Sequence, residues 1–366
     1  NFEVDFSSLK FADIKLNASL DTFTAHGETV LQSEFDGLEM NFPLYLDISE
    51  TVMPEKGFIP KSFKVDFNIK DTYGPFLLKP ITLSLSAVFA NDMLALFSND
   101  NSNISGTLST KGMLDLSINA TDYLKAKIGG KVGIKDVALK VSDLNLNLKN
   151  VLSYLNVGHI IQVENGNLEG YVNLENSFSD PYLIGSAKIE NPLFKLPMFC
   201  KDLITTNRLL ATITKDEIKF IPAIFKVKNK EKISAEAVIY LNKWSLDHIE
   251  ASLRTLENEV VKGGLDLPEF KAWGDAIFDL GIYFEKNVIQ VDGSVFGENI
   301  ELSSGMSQIT GLNMKKSRSK TPMKVVANVD VNLGTHSKVN FDPLLRCVLA
   351  PNTKIKVIVD QQIDLY

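Results

Sequence analysis

Apolar residues recur at every second position along most of this chain, and a period of two admits few folds. In GNLEGYVNLENSFSDPYLIGSAKIENPLFKLP, Gly166 to Pro197, the side chains of Leu168, Val172 and Leu174 share one face with Gly170. Glu169, Tyr171 and Asn173 take the other. Asp180-Pro181 marks a turn, because proline fixes φ and has no N–H to donate. After it Leu183, Gly185, Ala187 and Ile189 resume the apolar face, opposite Ser186, Lys188 and Glu190. Each segment reads as a strand with one dry and one wet side.

The pattern repeats with short interruptions. Ile14 to Leu20, Leu38 to Ile48 and Phe63 to Ile69 each place apolar residues at alternate positions. Between 124 and 134, Leu124, Ala126, Ile128, Val132 and Ile134 share a face, and Lys125, Lys127, Lys131 and Lys135 share the opposite one. Ile233, Ala235, Ala237, Ile239 and Leu241 form another row, as do Phe278, Leu280, Ile282 and Phe284, and the odd positions from Val325 through Val329 to Leu333. Turn signals are Glu164-Asn165-Gly166, the polar run Lys228 to Glu231, Gly263-Gly264 and Asp292-Gly293. Helix is expected only near 148–161 and 342–350. The expected class is all-β with a few short helices.

One-sided strands can be packed in two ways. A sandwich buries two inner faces filled with large side chains. Strands added side by side to one elongated, twisted, open sheet instead line a continuous groove with every dry face. Gly170, Gly185, Ala187, Ala235 and Ala237 favour the groove, although a bulge, a corner or close packing also calls for glycine.

Composition narrows the function classes. At 45% hydrophobic and 23% charged residues over 366 positions the chain is globular. A net charge of -7 argues against nucleic acid, whose binding needs a basic surface to displace counterions. Cys200 and Cys347 lie far apart with no C-x-x-C spacing, so no zinc site is indicated, and their apolar neighbours predict buried, inert thiols. His26, His159, His248 and His336 form no H-E-x-x-H, and neither G-x-S-x-G nor a phosphate-binding G-x-x-x-x-G-K occurs. The expectation is a protein without catalytic residues, metal or cofactor.

Other features read as ordinary. KKSRSK at 315–320 is expected to be a solvated loop, and Trp244 and Trp273 to be packing residues. Asn17, Asn103 and Asn119 begin glycosylation triplets that matter only in a secreted eukaryotic chain. No run of 18 apolar residues spans a membrane, and NFEVDFSSLKF lacks both Met and a signal-peptide layout, so the chain reads as a fragment.

The Gly166 to Pro197 segment resembles the recurring unit of the TamB family, AsmA-like bridge proteins of the bacterial cell envelope. In that unit an x-G-x-V-x-L strand leads through a proline turn into G-x-A-x-I-x-N. FKVKNKEKISAEAVIYLNKW, 225–244, resembles the next step of the family pattern, and 325–360 resembles the opening of its C-terminal region. The departure is Ala235-Glu236-Ala237, where the unit usually carries glycine.

The resemblance covers 160–360 and divides the chain into 1–160, the N-terminal part of a groove, and 161–366, TamB-like repeats of the same groove. It implies a β-groove in the periplasm, an inner-membrane anchor in a preceding region and an outer-membrane β-barrel partner of the BamA/TamA type. The implied role is phospholipid transport between membranes, with a part in outer-membrane protein assembly. The residues expected to line the groove and touch acyl chains are Leu124, Ile128, Val132, Leu168, Val172, Leu174, Leu183, Ile189, Ala235, Ile239, Phe278, Leu280 and Val329. Two other readings compete: a structural or adhesive β-solenoid with a closed core, and a soluble lipid carrier with a closed pocket.

Overall fold

The structure is a computed structural model that describes residues 9–10, 25–35, 38–52, 61–74, 77–100, 103–120, 122–133, 136–158, 161–197, 199–243, 245–257, 259–266, 270–286, 288–304, 323–341 and 345–363. Ile14 to Leu20, Asn17, Ile134, Lys135, His159, Trp244 and the 315–320 loop lie outside the described residues.

The described strands belong to a single sheet. In chain order the first ones are β1 (Leu9–Lys10), β2 (Ala25–Phe35), β3 (Leu38–Val52), β4 (Ser62–Ile69), β5 (Leu83–Ala90) and β6 (Met93–Ser98). Then come β7 (Ile104–Ser109), β8 (Met113–Ala120), β9 (Leu124–Lys131), β10 (Val137–Asn147), the helix α1 (Leu148–Leu152), β11 (Gln162–Asn176) and β12 (Pro181–Leu196). From β1 to β12 each strand pairs antiparallel with the next. Short polar or glycine-bearing turns such as Asn91-Asp92 and Lys111-Gly112 join some of these pairs, and longer segments join β4 to β5 and β10 to β11.

Further on, long strands face interrupted ones. β12 pairs with both β13 (Cys200–Thr205) and β14 (Arg208–Ile213), two halves of one line, and β15 (Glu217–Val227) closes on their far side. The meander continues through β16 (Lys230–Asn242) to β17 (Ser245–Thr255), which with β18 (Val261–Asp266) forms the next broken line, against β19 (Phe270–Glu285). β20 (Val288–Ser304) runs antiparallel to β19 and parallel to both β21 (Met323–Leu333) and β22 (Lys338–Phe341). β23 (Leu345–Val348) and β24 (Thr353–Ile363) complete the sheet against β22 and β21.

The breaks coincide with bulges. Asn191 in β12 has a φ of 46° and its N–H reaches Asn207 O at 2.9 Å, in the gap between β13 and β14. Asn299 in β20 has a φ of 52° and donates to Thr335 O at 3.1 Å, in the gap between β21 and β22. A bulge adds a residue to one strand, bends it and increases its twist, so repeated bulges coil a sheet.

Coiling brings distant strands together. Beyond the β15–β16 turn at Lys228-Asn229, the Gly264 N–H donates to Phe199 O at 2.9 Å, joining the turn before β13 to β18. Under this seam Cys200, Ile204, Val227, Ile233 and Val261 are buried together, with Phe194, Leu196, Phe225, Leu253 and Phe278 packed against them. These residues come from the dry side of neighbouring strands, so the dry face is concave here.

Among the described residues no second sheet packs on the rest of this one; the short helix α1 lies beside β11, and Leu78 N–H donates to Tyr154 O at 2.7 Å. The chain exposes 22715 Å², whereas a compact monomer of 40.6 kDa exposes about 14,600 Å². The fold is therefore all-β, an extended open sheet, and not a sandwich. Its strands are overwhelmingly antiparallel to their sequence neighbours, unlike the parallel coils of a β-helix.

Several local expectations are corrected. Helix near 148–161 is limited to α1, capped by the Asn147 side chain accepting from Asn150 N at 3.0 Å. Its continuation is drawn into a bridge between Leu155 and Leu77. In the segment expected to be helical at 342–350, Leu345–Val348 is a strand, because β22 offers it an unpaired edge. Asn165-Gly166, Gly263-Gly264 and Asp292-Gly293 are not turns but lie inside β11, β18 and β20. At Gly264 and Gly293 glycine is needed for close backbone approach, a Cβ on Gly293 sitting 2.1 Å from Asp279 O, whereas Gly166 is needed for its φ of 147°.

Candidate functional site

Register decides whether one-sided strands make one surface. A slip of one residue in any pair would send that strand's apolar set to the wrong side. No such slip interrupts the row. Ile48 lies opposite Val65, Val65 opposite Ala87, and Ala87 opposite Leu96. The line passes through Gly106 and Leu116 to Ile128, then through Val141 to Val172. Val172 faces Gly185, Gly185 faces Ile213, and Ile213 faces Ile218. Ile239, Ile249, Phe284, Ile289 and Val325 extend it to β21. At ~4.8 Å per strand this line runs on the order of 75 Å across the sheet, and no charged residue interrupts it.

Parallel lines collect the other expected lining residues. Leu124 lies opposite Leu146, Leu146 opposite Leu168, and Leu168 opposite Ile189. Leu174 pairs with Leu183. Ala235, Leu253, Leu280, Gly293 and Val329 follow one another across β16 to β21. Phe278 abuts the buried cluster. Val132 stands apart: it lies one residue past β9, its N–H held by Gly112 O at 2.7 Å, in the turn margin rather than on the row.

Burial agrees with an uncovered apolar face. Leu174 and Val329 are buried, while Leu124, Ile128, Leu168, Val172, Leu183, Ile189, Ala235, Ile239, Phe278 and Leu280 are half-buried. In a closed core such residues would be sealed; here neighbours in the same sheet shield them from the sides only.

The opposite face holds the charges. Glu169 lies across from Lys188 and pairs with it at 3.1 Å; Lys127 meets Asp143 at 2.8 Å and Arg254 meets Asp279 at 3.5 Å. The carboxylates of Asp143 and Glu169 accept hydrogen bonds from Lys127 and Lys188 and push these ammonium groups above the usual lysine range. Lys125 and Glu236 are exposed. This face is less polar than alternation implies: Ile184, Ile221 and Ile224 are exposed on it, and a shallow concavity of about 650 Å³ lies between Glu169, Lys188, Leu210 and Ile221.

Residues considered for chemistry are scattered. His248 stacks on Tyr240 with ring centroids 4.2 Å apart and bonds Asp247 at 2.8 Å, whereas His336 occupies a turn with a φ of 61°. Trp273 faces Glu301 on the outer side, where Lys201 Nζ lies 4.6 Å from its ring centroid. Cys200 is buried as expected, but Cys347 is exposed, on a strand that among the described residues pairs with β22 alone. Among the described residues no three His, Cys, Asp or Glu side chains converge on a metal position, and no helix is long and apolar enough to cross a membrane.

Comparison of the chain with protein-family models, with curated proteins and with solved structures gave no match.

Proposed function

We propose that the protein is a non-enzymatic conduit for acyl chains. The observation that carries this reading is the apolar register line from β3 to β21, continuous on one face of a single sheet, with most of its side chains from β6 to β20 half-buried and Val65 and Ala87 buried. Exposing two sixteen-carbon tails to water costs on the order of 25 kcal/mol at ~0.8 kcal/mol per methylene, and a uniform apolar floor keeps successive positions of the tails near one energy. Passage along such a floor needs no catalytic group and no cofactor; direction comes from outside the groove.

The resemblance of 160–360 to the TamB family supplies the setting of the proposal. The cargo is phospholipid moving between inner and outer membranes, and the location is the periplasm. The partners are an inner-membrane anchor in a preceding region and an outer-membrane β-barrel of the BamA/TamA type, with a role in outer-membrane protein assembly. The open sheet supports this reading over an adhesive solenoid, whose apolar rows fill a closed core.

Lipid extraction from the purified protein, quantified by mass spectrometry, tests it. Several phospholipids per chain are expected. One or two would point to a closed carrier, and none would remove the conduit reading.

A further inference from the structure

The seam between the turn before β13 and β18 shuts one margin of the trough. Gly264 N–H donates to Phe199 O at 2.9 Å, Cys200 Sγ lies 3.7 Å from Lys262 O, and a Cβ on Gly263 would stand 2.6 Å from Phe199 O. Only glycine lets the two backbones meet this closely. Beneath the seam the cluster around Val227 is sealed, and Phe225, Leu253 and Phe278 present its remaining apolar surface to the trough.

The other margin of the same strands is open and charged. The turns there place Lys215, Asp216, Lys243 and Lys286 in solvent, with Lys286 paired to Glu285 at 2.8 Å. From Phe225 to Glu217, from Leu253 to Ser245 and from Phe278 to Glu285 the strands span roughly 23–26 Å at ~3.3 Å per residue. An acyl chain in one leaflet occupies about 15 Å, half of a ~30 Å hydrocarbon core. A chain inserted from the open margin therefore fits within the length of these strands, its end directed toward the side of Phe225, Leu253 and Phe278 and its head group still at the charged turns.

We infer that over β15–β20 the trough has one mouth and one polarity: acyl chains point toward the β13–β18 seam, and polar head groups stay at the Lys215, Lys243 and Lys286 margin. This inference rests on the conduit reading.

Two photoactivatable phosphatidylcholines test it on the native chain, one carrying a diazirine at the end of an acyl chain and one carrying it on the head group. After irradiation, mass spectrometry maps the labelled residues. The tail probe is expected several-fold more at Phe225, Leu253 and Phe278, and the head probe several-fold more at the three lysine turns. Equal labelling of both margins by both probes, or the reverse pattern, overturns the polarity while leaving the conduit intact. Absence of labelling by either probe removes both readings.

Discussion

Gly185 lies directly opposite Val172 in the β11–β12 ladder, and a Cβ on Gly185 would come 2.3 Å from Tyr171 O and 3.0 Å from Val172 Cα. The apolar row is thus continuous at this point because one partner has no side chain. Gly185→Val forces the ladder apart and is expected to destabilise the protein by about 1–3 kcal/mol. Gly158, with nothing within 4 Å of an added Cβ, is the control: Gly158→Ala should leave the urea midpoint unchanged.

Charges placed on the dry face should act differently according to cover. Val172 and Ile239 are half-buried in the open row, so Val172→Asp or Ile239→Asp leaves the new carboxylate within reach of water. Stability should change by about 1 kcal/mol or less, while lipid transfer between vesicles fails. Val227 is 2% exposed under the seam, and Val227→Asp buries a charge without a partner, costing several kcal/mol. Denaturation of the variants alongside a transfer assay separates the outcomes. A large stability loss at Ile239 would show that the row is a closed core.

Stability at low pH should depend on Asp66. Burial pushes its carboxyl up, but the Ser86 hydroxyl and Lys64, 3.1 Å away, outweigh that and hold it below the ordinary carboxylate range. Because the folded pKa lies below the unfolded one, the stabilisation is present above the unfolded value, near 3.8, and is lost as pH falls through the folded value. Asp66→Asn should therefore flatten the pH dependence of the melting temperature below about pH 4 and leave its shape at neutral pH unaltered. An unchanged acid limb would rule out this contribution.

The two thiols should react at different rates. Burial raises the Cys200 thiol above its ordinary range, more than the backbone hydrogen bond at Asp202 lowers it, whereas Cys347 is exposed. Native protein is expected to take up one equivalent of iodoacetamide, at Cys347, and unfolded protein two. Rapid labelling of Cys200 in the native state would mean that the seam opens readily.

Sequence alone determined that this chain makes one-sided strands, because side-chain direction in a strand alternates with position and needs no knowledge of the partner. The rows through Leu168 to Leu174, Ile233 to Leu241 and Phe278 to Phe284 could be read for that reason. Register across the sheet was legible only in part. The Asp180-Pro181 turn sets β11 against β12, but Asn165-Gly166, Gly263-Gly264 and Asp292-Gly293 have the composition of turns and serve as bulges or points of backbone approach. Whether glycine ends a strand or bends it depends on the neighbouring strand, which local sequence does not contain. The seam was invisible for the same reason: Phe199 and Gly264 are held together by the coiling of every strand between them. Tertiary structure alone decided that the turn before β13 meets β18 over the buried cluster around Val227, since that depends on how bulges accumulate across β12 to β20 and on no single residue's preference.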